Sequence, residues 1–254
     1  MIGLGPLLGK ELREQWRTRR MLVVVVVFIA LAIGSAFLAR YTAELIEALG
    51  GLPFDVEVPP PTTADAVDQF LKNVGQAGIL TAILLAMGSV ATEKERGTAA
   101  LILSKPASRG AFLASKLVAI GVTLAAGVSA ASVAGYLYTA MLFDAPSVQG
   151  WTGMTALLLV ALVAYASLTF LGSTLSRSVL AAAAIGIGGM IVLAVVSALP
   201  KVAPYTPAGL SGEPARSLAL GTDPGPLIGP LLANLAIIAA LFAASWIAFR
   251  NQEL

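Results

Sequence analysis

A chain of 254 residues that is 57% hydrophobic and only 12% charged, with mean hydropathy +0.87, is too apolar for a soluble domain and must keep much of its surface in lipid. It has no Cys and no His, which removes disulfides, thiol nucleophiles and the commonest metal ligand and general base. Its net charge of +2 is too small to point to a nucleic-acid partner.

A helix needs ~20 predominantly apolar residues to cross a ~30 Å hydrocarbon layer, and the sequence holds six such blocks. The expected fold is therefore all-α: a polytopic integral membrane protein with six transmembrane helices. Residues 1–20 come first. Leu4, Leu8, Leu12 and Trp16 recur at every fourth position with Leu7 beside them, while Lys10, Glu11, Arg13, Glu14 and Arg17 fill the other faces. That spacing predicts an amphipathic helix lying in the membrane surface, with Trp16 in the headgroup layer. The next apolar run, 21–39, is longer than the roughly 7–15 residues of a signal-peptide core, so a cleaved leader is not expected. It opens with valines at 23–27, a β-branched run that lipid tolerates because the helix must satisfy its own backbone there.

Arg40 and Tyr41 close that span, and residues 40–73 read as an external connection with a Gly50-Gly51 stop and Pro53, Pro59, Pro60 and Pro61. Thr62 stands three residues before Asp65, a capping-box spacing, and Val67, Phe70, Leu71 and Val74 repeat as one helical face. A short amphipathic helix should thus lead into the second span, 74–92, where Gly75, Gly78 and Gly88 suit close helix approach. Residues 93–116 then gather five Lys or Arg and two Glu between two apolar runs. Glu93 and Glu95 suit the start of a helix, Gly97 supplies a turn, and Thr98 caps a short helix at 99–103 that Pro106 terminates. Ser108 is the expected cap of the third helix, which carries Lys116 near the interface and crosses at 117–143.

A polar turn with Trp151 at the interface precedes the fourth span, 154–176. Arg177 lies in a tight turn, and the fifth span, 179–199, contains Gly186, Gly188 and Gly189, read as packing positions. Residues 200–226 form a second external loop, too rich in proline for a regular helix, although Val202, Tyr205, Leu210, Leu218 and Leu220 are apolar enough to dip into the interface. The sixth span is 227–249.

Placing both termini on one face puts twelve Lys and Arg there against four on the other, so that face, with both termini and residues 93–116, is expected in the cytoplasm. With these boundaries no span contains a charge. Ion-coupled carriers retain a buried charge despite a cost of roughly 2.5–3.5 kcal/mol because transport needs it, and none is present. The same gap argues against intramembrane metalloproteases and lipid phosphotransferases. A Ser–Lys protease lacks its lysine in a span, and no continuous polar stripe lines a channel. Tyr165 and Asn234 read as interhelical hydrogen-bonding groups. Energy must then come from outside the bilayer.

The pattern Glu93, Glu95-Arg96-Gly97-Thr98, a short apolar helix, Lys105-Pro106, Ser108-Arg109 and Lys116, between the second and third of six spans, resembles the permease subunits of type-2 ABC transporters. The Lys10-Glu11-Leu12-Arg13 helix resembles that family's N-terminal elbow helix. The resemblance implies a single permease domain over 1–254 whose cytosolic segment docks on a separate ATPase subunit. ATP and Mg would sit on that partner, and this chain would bind no cofactor or metal. A second permease subunit, identical or not, would complete the pathway, with membrane lipid around both. It assigns docking to Glu93, Glu95, Arg96, Gly97, Thr98, Leu101 and Leu103, and salt bridges to the ATPase or elbow helix to Arg13, Arg17 and Arg109. The family's re-entrant helices before the last span would correspond to residues 200–226. The chain has no GxxxxGK[ST] phosphate loop, so it is expected to be non-catalytic, and export is the implied direction. The competing reading is an ATP-independent membrane scaffold or immunity-type protein whose cytosolic loop binds a partner.

Overall fold

The computed structural model describes residues 3–48, 59–98 and 108–252. The expected helix at 99–103, with Leu101 and Leu103, and the Lys105-Pro106 step after it lie outside the described residues, as does the Gly50-Gly51 stop. Among the described residues all regular structure is helical, and six helices are long and apolar enough to cross a membrane.

Helix α1 spans Leu4–Arg17 and is amphipathic as its spacing demands: Leu4, Leu7, Leu8 and Leu12 are half-buried, and Trp16 is exposed. It stops where the Thr18 hydroxyl donates to the Glu14 carbonyl at 2.8 Å, and Arg19 turns the chain with φ 58, a left-handed conformation unusual for a residue with a Cβ. Helix α2, Arg20–Ala48, is the first span; its backbone kinks at Tyr41, the residue expected to close the crossing.

Helix α3, Thr63–Met87, begins with the capping box read from the sequence. The Thr62 side chain accepts from the Asp65 amide, and the Asp65 carboxylate accepts from the Thr62 amide at 2.7 Å. The short amphipathic helix and the second span are here one continuous helix. It ends at Gly88, and a separate helix, α4, follows at Ala91–Glu95. Ser108 caps helix α5, Arg109–Leu142, by accepting from the Ala111 amide. At ~1.5 Å per residue, α5 is about 50 Å long and must project well beyond a ~30 Å hydrocarbon core.

Helix α6, Val148–Leu175, is the hub of the fold. It packs on α3, α5, α7 (Val179–Ser197) and the last span, α10 (Ile228–Arg250). In its most apolar stretch 61% of residues are buried, against 11% in α7 and α10, so α6 is the inner helix and α7 and α10 present apolar faces outward. Close approach needs small residues: a Cβ at Gly78 would come within 2.6 Å of Leu162 on α6. Gly186 and Gly189 likewise lie against Thr169 and Leu168 of α6, whereas Gly188 touches nothing.

One expectation is corrected. Trp151 is not at a lipid interface. It is 2% exposed, with its ring tilted against Phe70 and edge-on to Tyr136 and its indole N–H donating to the carbonyl and hydroxyl of Ser132 at 3.0 Å. Residues 200–226, expected from their prolines to be too broken for a regular helix and from the resemblance to correspond to re-entrant helices, are helical in short pieces. They form a 3-10 turn (Ala203–Tyr205) and two short helices, α8 (Pro207–Leu210) and α9 (Glu213–Leu220), with Leu210, Ala215 and Ala219 fully buried. Prolines sit in the first turn of each piece, where a missing N–H costs nothing. Asn234 of α10 ties this region down, its amide donating to the carbonyls of Pro230 at 2.9 Å and Tyr205 at 3.3 Å.

Candidate functional site

Where α3 ends, the chain must turn without leaving buried amides unpaired. Ser173, fully buried on α6, solves this. Its hydroxyl oxygen accepts from the amides of Val90 and Ala91 at 3.1 and 3.0 Å and donates to the Met87 carbonyl at 2.9 Å. Helix α4 is thereby fixed to the end of α6. A second tie comes from Lys94, whose ammonium donates to the Thr174 carbonyl and lies 5.6 Å from the centre of the Phe249 ring. Gln252 donates to the same carbonyl at 3.1 Å. The C-terminus of α10 is closed by Arg109, which donates to the carbonyls of Phe249, Arg250 and Gln252 at 3.1, 2.7 and 3.2 Å, where a cation is favoured by unpaired carbonyls and the helix dipole. Phe112 stacks on Phe249 beside it. The ends of α3, α5, α6 and α10 therefore meet around α4.

Beside this junction lies an ion cluster. Lys116 is 4% exposed, and its ammonium donates to Glu93 Oε1 at 2.9 Å and Glu11 Oε1 at 3.1 Å. Lys10 stands 3.5 Å from Glu93 and 3.6 Å from Glu11. Burial disfavours the charged form of Lys10, but Glu93, Glu11 and Glu14 outweigh it and hold its pKa above the ordinary lysine value. Two cations and two anions make the cluster neutral, and each of its members comes from α1, α4 or α5. About two turns further along α5, Thr123 donates to the Gln15 side chain of α1 at 2.9 Å. Glu93 Oε2 is buried with no hydrogen-bond partner among the described residues.

The residues singled out from the sequence separate into two groups. Glu95, the last residue of α4, and Arg96 and Gly97 in the turn after it are exposed, and Gly97 has φ +66, a conformation that a side chain disfavours. The Thr98 hydroxyl donates back to the Glu93 carbonyl at 3.3 Å. Arg13 and Arg17 are exposed on α1, with no ion pair among the described residues. The Glu93 carboxylate, expected to dock on a partner, lies against Lys116 within the chain, and Arg109, expected to form a salt bridge to the ATPase or elbow helix, donates to the last carbonyls of α10. Lys10, Glu11, Ser173, Thr174 and Gln252 were not singled out. Lys116 carried the one available signal for Glu11 and Glu93: a lysine flanked by apolar residues in a helix has to find an acid.

A charged, exposed turn between the second and third of six spans, an N-terminal helix packed on the third, and a broken helical segment before the sixth form one arrangement. Residues 6–205 match the family described as ABC-2 family transporter protein. The chain belongs to that family. It is also similar to the "Uncharacterized transmembrane protein YxlG" of Bacillus subtilis (strain 168), with 27% identity over 218 residues, 85% of this chain and 84% of that one. For this ABC-2 family member, α1 packs on the third span, and α4 with the exposed residues after it lies between the second and the third. As a member of an ABC transporter membrane-protein family it is a membrane component of transport, and among the described residues six helices are long and apolar enough to cross a membrane.

Proposed function

We propose that this chain is the transmembrane subunit of an ABC exporter driven by a separate ATPase subunit, with ATP and Mg held by that partner. Both termini and α4 face the cytoplasm, and a second permease subunit completes the pathway across the cytoplasmic membrane. The observation that carries this reading is that the Glu95-Arg96-Gly97 turn is exposed while its roots are rigid. Ser173 and Lys94 fasten it to α6, and Glu93 fastens it through Lys116 to α5 and α1. A partner pushing on the turn would move three helices together rather than bend a loop. Charged side chains at 95 and 96 offer the partner ionic contacts, and neither is needed to hold the fold.

The test is co-purification of the tagged chain in mild detergent with its candidate ATPase co-expressed, wild type beside Glu95→Ala/Arg96→Ala/Thr98→Ala. The ATPase is expected with the wild type and lost from the folded triple variant. If no ATPase accompanies the wild type in several detergents, the powered-transport reading fails and the ATP-independent scaffold takes its place.

A further inference from the structure

A groove of about 900 Å³ runs beside the ion cluster, between the α1–α2 turn, the end of α3, α4 and the start of α7. Its lining changes character with depth. Arg20, the first residue of α2, and Arg96, the residue after α4, stand at one end. Val23 and Val27 lie about 5 and 10 Å deeper along α2 at ~1.5 Å per residue, and Leu84 faces the groove from α3. These three apolar side chains are 55%, 45% and 63% exposed, left open by the described residues. A site with cations at one end and valines and leucine one to two helical turns below has the polarity profile of a phospholipid, not of a soluble ion or a purely apolar molecule.

Charge selects among phospholipids. The ion cluster bordering the groove cancels internally, leaving Arg20, Arg96 and Glu14 in the lining, a net charge of +1. Neither arginine has an acidic partner within 4.0 Å among the described residues. A headgroup of net −1 neutralises the groove, whereas a zwitterionic headgroup leaves it charged at the edge of a low-dielectric layer. We infer that this groove binds an anionic phospholipid, its phosphodiester at Arg20 and Arg96 and an acyl chain along Val23, Val27 and Leu84. The lipid is a resident component that fills the wedge between α1, α2 and α4, distinct from any transported molecule. The inference needs only that the chain spans a membrane, and it does not depend on the ATPase partner.

Native mass spectrometry of the full chain in detergent, titrated with phosphatidylglycerol, phosphatidylethanolamine and phosphatidylcholine of identical chains, tests it. Phosphatidylglycerol is expected to bind at least about fivefold more tightly than either zwitterionic lipid, the gain of one basic contact at a membrane surface. Arg20→Gln/Arg96→Gln should bring it down to their level. Leu84→Trp, at an exposed position, should weaken all three lipids by filling the chain-binding end, with the melting temperature before lipid addition unchanged. Equal binding of the three lipids by wild type overturns the inference. So does a preference that survives loss of both arginines, or a Leu84→Trp variant that loses a chain dimer while its lipid adducts stay the same, which would give the groove to a second copy.

Discussion

Replacing Lys116 with Met removes a buried cation while keeping most of its volume. Glu93 and Glu11 lie 2.9 and 3.1 Å from its ammonium, where each attraction is worth about 5 to 6 kcal/mol at an effective dielectric of about 20. Desolvating Lys116, with 4% of its side chain exposed, offsets much of this gross figure. The variant then leaves two carboxylates facing each other with Lys10, 46% exposed, the one remaining cation near both among the described residues. Removing one partner from a buried pair costs about 3–5 kcal/mol, and residual help from Lys10 places the expectation near the lower end, about 3 kcal/mol. For a chain of this size each kcal/mol moves the melting temperature about 2–4 °C, so a drop on the order of 10 °C is expected by thermal unfolding in detergent. Adding Glu11→Gln and Glu93→Gln to Lys116→Met should recover most of it, because the repelling charges go too. A drop below about 2 °C for Lys116→Met, or a triple variant less stable than the single one, refutes the cluster as a stabilising joint.

The other junctions give separate readouts. Ser173→Ala strips three hydrogen bonds and leaves two amides of the α3–α4 turn without their acceptor. The expected loss is about 2–3 kcal/mol, seen as a lower melting temperature together with faster hydrogen exchange at Val90 and Ala91; unchanged exchange at those amides would show that Ser173 does not hold the turn. Gly150→Ala places a Cβ 1.9 Å from the Leu218 carbonyl oxygen, a backbone atom that no side-chain rotation can move away. Separating α9 from α6 should cost more than the about 1–3 kcal/mol of ordinary overpacking, and a melting temperature equal to wild type would disprove the contact.

Spans, caps and the position of the exposed turn were legible because they depend on near neighbours: apolar run length, Thr62 three residues before Asp65, Ser108 at the head of α5, Gly97 at its turn. The helix class and the six crossings follow from composition and block length alone. The burial of Trp151 was not legible, and the helices of residues 200–226 were implied by the family resemblance but not by their own pattern. A tryptophan beside a polar turn suits a headgroup layer equally well until Ser132 and Phe70 arrive from other helices. Proline-dense sequence gives no periodicity, and only the surface of α6 makes it pay to bury Leu210 and Ala219 as short helices.

The sequence by itself determined that the chain must live in lipid, where it crosses, and which stretch carries the water-facing charge. Tertiary structure alone decided which of those charges look outward. Glu93 and Glu95 are two residues apart, and nothing local distinguishes them. On a helix that spacing turns side chains by about 200°, so anchoring α4 on Ser173 and Lys94 sends Glu95 to solvent and Glu93 to Lys116. The identity of each ion's partner was fixed by residues 23 and 105 positions from Lys116, distances over which only the packing of α1, α4 and α5 carries information.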